Sequence, residues 1–223
     1  MKTWFGAVAM TAMVALTVPA HAGTTSSEET YQLLFHEGTL DGLPQDTRLV
    51  YDRAVVNAAD PDAAARASGG LTVSFDPENP SDAILDFRQD GKHRALGVFP
   101  ASVGNPMIMY HMETVTRDMA AITGGSQFYI RNRMKDALIR PAEITPVQVI
   151  TAEGPAEASQ VVLRPFADDP NAARMQGFDA LSVTVVVSDK VPGWYQSLAA
   201  EVPGTDGPVY ASRITFDRKE AAE

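Results

Sequence analysis

The chain has no cysteine. Disulfides, a cysteine nucleophile and a lipid attached to a cysteine behind a leader are therefore excluded. Stability has to come from packing alone. No twin-arginine pair stands near the N-terminus, which leaves the general secretory route for any export. Beyond residue 22 no apolar run approaches the length that spans a bilayer. Neither repeats at solenoid or propeller spacing nor low-complexity tracts occur. There is no Gly-x-Ser-x-Gly elbow. Gly69-Gly70 precedes a strand rather than a helix, so it is no dinucleotide fingerprint. Basic residues are scarce. Eighteen Lys and Arg face 28 Asp and Glu, for a net charge of −10. That balance disfavours nucleic acid and broad adhesion to anionic lipid, and its simplest effect is solubility.

What the sequence does carry begins with its first 22 residues. Lys2 is followed by an uncharged apolar run from Trp4 to Val18, and then by Ala20-His21-Ala22. This is the three-part pattern of a signal peptide with cleavage after Ala22. Removing 22 of the 223 residues leaves 201, enough for a single soluble domain over 23–223. The expected location is the periplasm.

Past the leader, hydrophobic spacing alternates between two periods. Residues 28–37 read as a short N-terminal helix stopped by Gly38, with Tyr31, Leu34 and Phe35 on one face. Leu49, Tyr51, Arg53 and Val55 alternate with their neighbours as in a strand. Residues 57–70 read as a loop. Leu71, Val73 and Phe75 mark the next strand, and 83–87 another. Asp90-Gly91 is a tight hairpin signal before the return strand 93–99.

The period then lengthens. Ile108, Met112, Val115, Met119 and Ile122 fall on one helical face. Gly124-Gly125 ends that helix, and Ser126 caps a second, from Gln127 to about Ile139, with Ile130, Met134, Ala137 and Leu138 inward. Strands resume at 146–151, 158–166, 181–187, 195–202 and 209–216, and residues 219–223 read as a frayed tail. The predicted fold is α+β, mainly β. It is one curved antiparallel half-barrel sheet of about eight or nine strands, with a short N-terminal helix and a helical hairpin inserted at about 106–140.

In its element order the chain resembles the periplasmic lipoprotein-carrier (LolA-like) half-barrel class. That resemblance implies acyl chains held against the inner face of the sheet with helices as a lid. It assigns no functional residue.

Candidate chemistry is sparse. Three histidines follow the leader: His36, His93 and His111. None has the i, i+4 partner of a zinc motif. His111 reads as solvent-facing beside Glu113 and Arg117, which can pair at i, i+4. No metal and no cofactor are expected. Asp82, Asp86 and Glu113 have no spacing that singles them out as an acid/base pair. Five of the 17 basic residues outside the leader, Arg117, Arg131, Arg133, Lys135 and Arg140, lie between 117 and 140. Gly124, Gly125 and Ser126 open a helix, whose free N–H groups and dipole favour an anion, and Tyr129, Arg131 and Arg133 follow in its first turns. These residues form a candidate anion subsite for a lipid phosphate, a carboxylate or an acidic partner. The competing reading is plain helix punctuation, with the cations paired to the chain's own carboxylates. Met112 and Met119, from a cluster with Met107, Met109 and Met134, are candidates for an adaptable apolar lining. The competing reading there is ordinary core.

The leading expectation is a non-enzymatic binding or carrier protein for a hydrophobic small molecule, lipid or lipoprotein. An envelope protein-interaction module with a protein partner is the second reading, and a periplasmic hydrolase is the third. Expressed with its leader in a bacterial host, the chain should be recovered from the periplasm with Gly23 at its N-terminus. Intact-mass measurement of a chain still starting at Met1 would overturn the export reading.

Overall fold

A computed structural model describes residues 23–24 and 26–222. The predicted leader lies outside the described residues. No helix among the described residues is long and apolar enough to cross a membrane.

Strand β1 (Gly23–Thr24) precedes helix α1 (Ser27–Leu34), and β2 (Thr47–Asn57) and α2 (Pro61–Ala67) follow. Then come β3 (Gly69–Phe75), β4 (Asp82–Gln89) and β5 (Lys92–Pro100). The helical hairpin is α3 (Met107–Thr123) with α4 (Gln127–Leu138). The chain returns to the sheet as β6 (Glu143–Thr151), β7 (Gly154–Leu163), β8 (Ser182–Val187), β9 (Tyr195–Val202) and β10 (Tyr210–Ala221). All neighbours are antiparallel, in the order β1-β6-β7-β8-β9-β10-β2-β3-β4-β5. The mainly β, α+β fold with one open, curved sheet is thus observed. Nine substantial strands carry it, with the two-residue β1 at one edge and β5 at the other.

The C-terminal strands β6–β10 and the N-terminal strands β2–β5 of the sheet are joined by the pairing of β10 with β2, the two longest strands. It continues past a bulge near Asp217 to Ala221 opposite Thr47. Residues 219–221 are therefore strand, not the frayed tail that their polar sequence suggests. Arg48 and Glu220 pair across this extension at 3.5 Å. A second difference lies in 57–70, where α2 replaces the expected loop. Asp60 accepts from Ala63 N at 2.8 Å, Pro61 sits in the first turn, and three alanines follow. This is a strong helix start. The Asp90-Gly91 turn forms as read, with both residues at positive φ, 52° and 73°.

One face of the sheet carries the core. Along β10, Tyr210, Ser212 and Ile214 are buried. In register with them stand Val202, Ala200 and Leu198 of β9. Helix α3 lies over this face with Met107, Ile108, Met112, Val115 and Met119 inward. Each such side chain contributes about 1.5–3 kcal/mol through burial. Ile130, Met134, Ala137 and Leu138 of α4 are buried as their spacing predicts.

Asn105 fixes the start of α3. Its amide nitrogen donates to Tyr51 Oη and to the Gly193 carbonyl, each at 2.8 Å, and its Oδ1 accepts from Met107 N at 3.1 Å. Its backbone N–H donates to Thr39 Oγ1 at 2.8 Å. Gly193 has φ +76°, and a Cβ there would strike Leu49 Cδ1 and come within 2.9 Å of the Asn105 amide nitrogen. Asn105→Ala leaves buried polar groups unpaired, and should lower the unfolding free energy by about 2 kcal/mol in urea titration at unchanged m. Gly193→Ala should cost at least as much through backbone strain and clash. A loss under about 0.5 kcal/mol for either would show that the junction does not anchor α3.

Candidate functional site

The α3–α4 junction is well satisfied within the chain. Gly124 is left-handed at φ 67° and ends α3. Gly125 N donates to Thr123 Oγ1 at 3.1 Å, and Ser126 Oγ accepts from Tyr129 N at 3.4 Å. Arg131 forms a fork with Glu113, Nε to Oε2 at 3.0 Å and Nη2 to Oε1 at 2.6 Å. That hydrogen-bonded guanidinium holds the Glu113 carboxyl below its ordinary range. Arg133 Nε donates to Asp169 Oδ2 at 2.8 Å. Tyr129 Oη donates to the same carboxylate at 2.9 Å. Burial pushes the Asp169 carboxyl up, but the Asn171 N–H, Tyr129 and Arg133 outweigh it and hold it low. Tyr129 and Arg133 thus converge on Asp169, whereas Arg131 turns to Glu113. Met112 and Met119 lie in the core between α3 and the sheet.

A different stripe of α3 borders open space. Met109, Tyr110, Glu113, Thr114, Arg117 and Asp118 recur at helical spacing along one wall of a cavity of about 740 Å3. Ala63, Arg66 and Ala67 of α2 form a second wall. The floor is Leu85 and Phe87 of β4 with Leu96 and Phe99 of β5, and Arg53 enters from β2. The register explains this convergence. Phe87 stands opposite Leu71, Leu71 opposite Tyr51, and Phe87 opposite Arg94 across the β4–β5 hairpin. The methionine in this lining is Met109, half exposed.

The inner end of the cavity is polar. Arg53 is only 7 % exposed, yet its Nη1 donates to Tyr110 Oη at 2.9 Å and its Nε has no partner among the described residues. The guanidinium also lies over the Tyr110 ring, 5.4 Å from its centroid. Tyr210 Oη donates to Asp118 Oδ2 at 2.9 Å. Burial, then the Asp118 charge, pushes the Tyr210 hydroxyl well up. His111 is fully buried, not solvent-facing. His111 stands three residues after Ile108 and four before Val115, so it shares their inward stripe and meets the sheet at Ala199 of β9. Burial first, then the Arg53 charge, lowers the His111 pKa to about 3, with the Ala199 backbone acting weakly the other way. The ring is neutral at ordinary pH. Among the described residues neither ring nitrogen meets a hydrogen-bonding partner of good geometry, nor does Ser212 Oγ on β10. Among the described residues no group of three or more His, Asp or Glu is arranged to hold a metal.

No protein-family model matches the chain, and no curated protein matches it.

Sequence reasoning did not assemble this cavity, because its lining comes from five separate elements. One signal was legible: Arg53 is the single charge on the inward face of a strand otherwise built from Leu49, Tyr51 and Val55. The neutral, buried His111 gives a measurable consequence. Its folded pKa of about 3 lies below the ordinary 6.5. The unfolded chain therefore takes up a proton that the folded chain refuses, and stability falls as pH drops below about 6.5. Between pH 6 and 4.5 the His111 contribution should approach about 1.4 kcal/mol per pH unit. Chemical denaturation across this window should show that slope, and His111→Leu should flatten it. An equal slope in the variant would remove His111 as its source.

Proposed function

We propose that the chain is a non-enzymatic binding or carrier protein of the bacterial envelope that holds an apolar molecule, such as the acyl chain of a lipid or lipoprotein. The cavity of about 740 Å3 between α3, α2 and the β4–β5 floor carries this reading. Its volume falls within the range of small-molecule sites, about 300–1,000 Å3. Leu85, Phe87, Leu96, Phe99 and Met109 offer an apolar lining, with aromatic rings and a flexible thioether that adapt to chains of different shape. An open curved sheet with helices across its packed face also resembles the lipoprotein-carrier arrangement, which supports the same reading. The leader-like residues 1–22 support a periplasmic location.

The test is native mass spectrometry on protein released from the periplasm without detergent, before and after incubation with a membrane lipid extract. A stoichiometric adduct that solvent extraction identifies as a lipid or fatty acid is the expected result. Ala67→Trp, on the α2 wall of the cavity, should reduce the adduct by about tenfold while leaving the circular dichroism spectrum unchanged. A clean apo mass under both conditions would overturn the carrier reading.

A further inference from the structure

Four arginines line the cavity: Arg53, Arg66, Arg94 and Arg117. This is unusual in a chain of net charge −10. None of the four forms an ion pair within 4 Å among the described residues, although the Arg117 charge reaches Glu113. Arg131 and Arg133 on the neighbouring helix and Arg140 just past its end are paired, whereas Arg88, Arg174 and Arg213, outside the cavity, also lack a pair among the described residues. The two carboxylates in the lining are already engaged. Glu113 is held in the fork of Arg131, and Asp118 accepts from Tyr210. Arg66, Arg94 and Arg117 are exposed at the cavity's solvent side. The Arg94 guanidinium rests over Phe87, 5.7 Å from the ring centroid.

Arg53 decides the matter. A guanidinium has five N–H donors and does not lose its charge. Here it is more than nine-tenths buried, with one donor given to Tyr110 and its Nε unpartnered. A buried cation without a directly paired carboxylate is costly. Among the described residues a phenol oxygen and a ring face contact it, and Asp118 stands behind Tyr210 without pairing to the guanidinium directly. His111 beside it stays neutral and adds no second positive charge.

We propose that the cavity is built for an anionic amphiphile: a carboxylate or phosphate bound by Arg53 with the rim arginines, and a hydrocarbon portion against Phe87, Leu96 and Phe99. The proposal rests on the carrier reading and names the ligand class of that site. Arginine suits it because its fork meets both oxygens of a carboxylate or phosphate at once. The outer arginines draw the anion toward the cavity against the overall negative field of the protein.

The experiment is isothermal titration of the chain lacking residues 1–22 with four probes: laurate, dodecyl phosphate, dodecanol and inorganic phosphate. Laurate and dodecyl phosphate should bind about tenfold or more tightly than dodecanol, and inorganic phosphate far more weakly than dodecyl phosphate. Arg53→Met should bring the two anionic amphiphiles down to the affinity of dodecanol and leave dodecanol unchanged. Because Arg53 is buried, the double variant Arg94→Gln/Arg117→Gln, at exposed positions, provides a second readout. It should weaken laurate about threefold or more and flatten the salt dependence of binding. Equal affinity of laurate and dodecanol for the native chain would overturn the headgroup assignment and leave the carrier reading standing. Binding of inorganic phosphate as tight as that of dodecyl phosphate would mark an anion site without an acyl role and overturn the proposal. Failure of all four probes to bind would overturn the carrier reading itself.

Discussion

The placement of α3 depends on one buried amide. Asn105 stands where the chain leaves the sheet edge and turns back over the sheet, and it joins three distant stretches: the Thr39 loop, Tyr51 on β2 and the turn at Gly193. A helix laid on a curved apolar face has little to fix its direction, because apolar contacts are nearly indifferent to small rotations. Hydrogen bonds are directional and expensive to lose when buried. With its first residue set, α3 turns Met112 and Met119 into the core and leaves Met109, Glu113 and Arg117 facing the β4–β5 floor. Rotating the helix by one residue position, about a hundred degrees, would turn Met109 toward the core and move Ile108 out of it. The lining of the empty space is therefore a consequence of register as much as of composition.

Much of this architecture was readable from period and punctuation. The alternation in 49–56, 71–75 and 181–187, the Asp90-Gly91 turn, and the helical spacing from Ile108 to Met119 all correspond to observed elements. The misreadings have physical causes. Residues 57–70 contain Asn, Asp, Pro and paired Gly, which signal loops, yet Asp60-Pro61 before an alanine run is equally a helix start. The tail at 219–221 is polar because it is an edge of the β10–β2 ribbon, and partner strand pairing keeps it ordered. The polarity and local charged neighbours of His111 suggest solvent, but its spacing of three from Ile108 and four to Val115 puts it on the buried stripe.

The site was less legible than the fold. Charge density along the sequence points to 117–140, where the basic residues cluster, but charges close in sequence on adjacent helices tend to find carboxylates on those same helices. Arg131 with Glu113 and Arg140 with Asp136 follow that rule. The arginines of the cavity come from β2, α2, β5 and α3, and only the tertiary structure gathers them. Net charge is equally uninformative about such a place, since an acidic surface and a cationic recess coexist in one chain.

The position of β5 at the end of the sheet has a mechanical consequence. β5 is bonded along one side only, to β4, and β4 reaches the rest of the sheet through β3 alone. The floor beneath the arginines is thus a cantilever in its connectivity: displacing its free margin would break no pairing among β7, β8, β9 and β10. The sheet therefore combines strands packed into one core, from Leu198, Val185 and Ile214 across to Val73 and Leu85, with a largely exposed margin at β5. In the proposed carrier role, size would be read by the β4–β5 hairpin and charge by side chains rooted mainly in neighbouring elements.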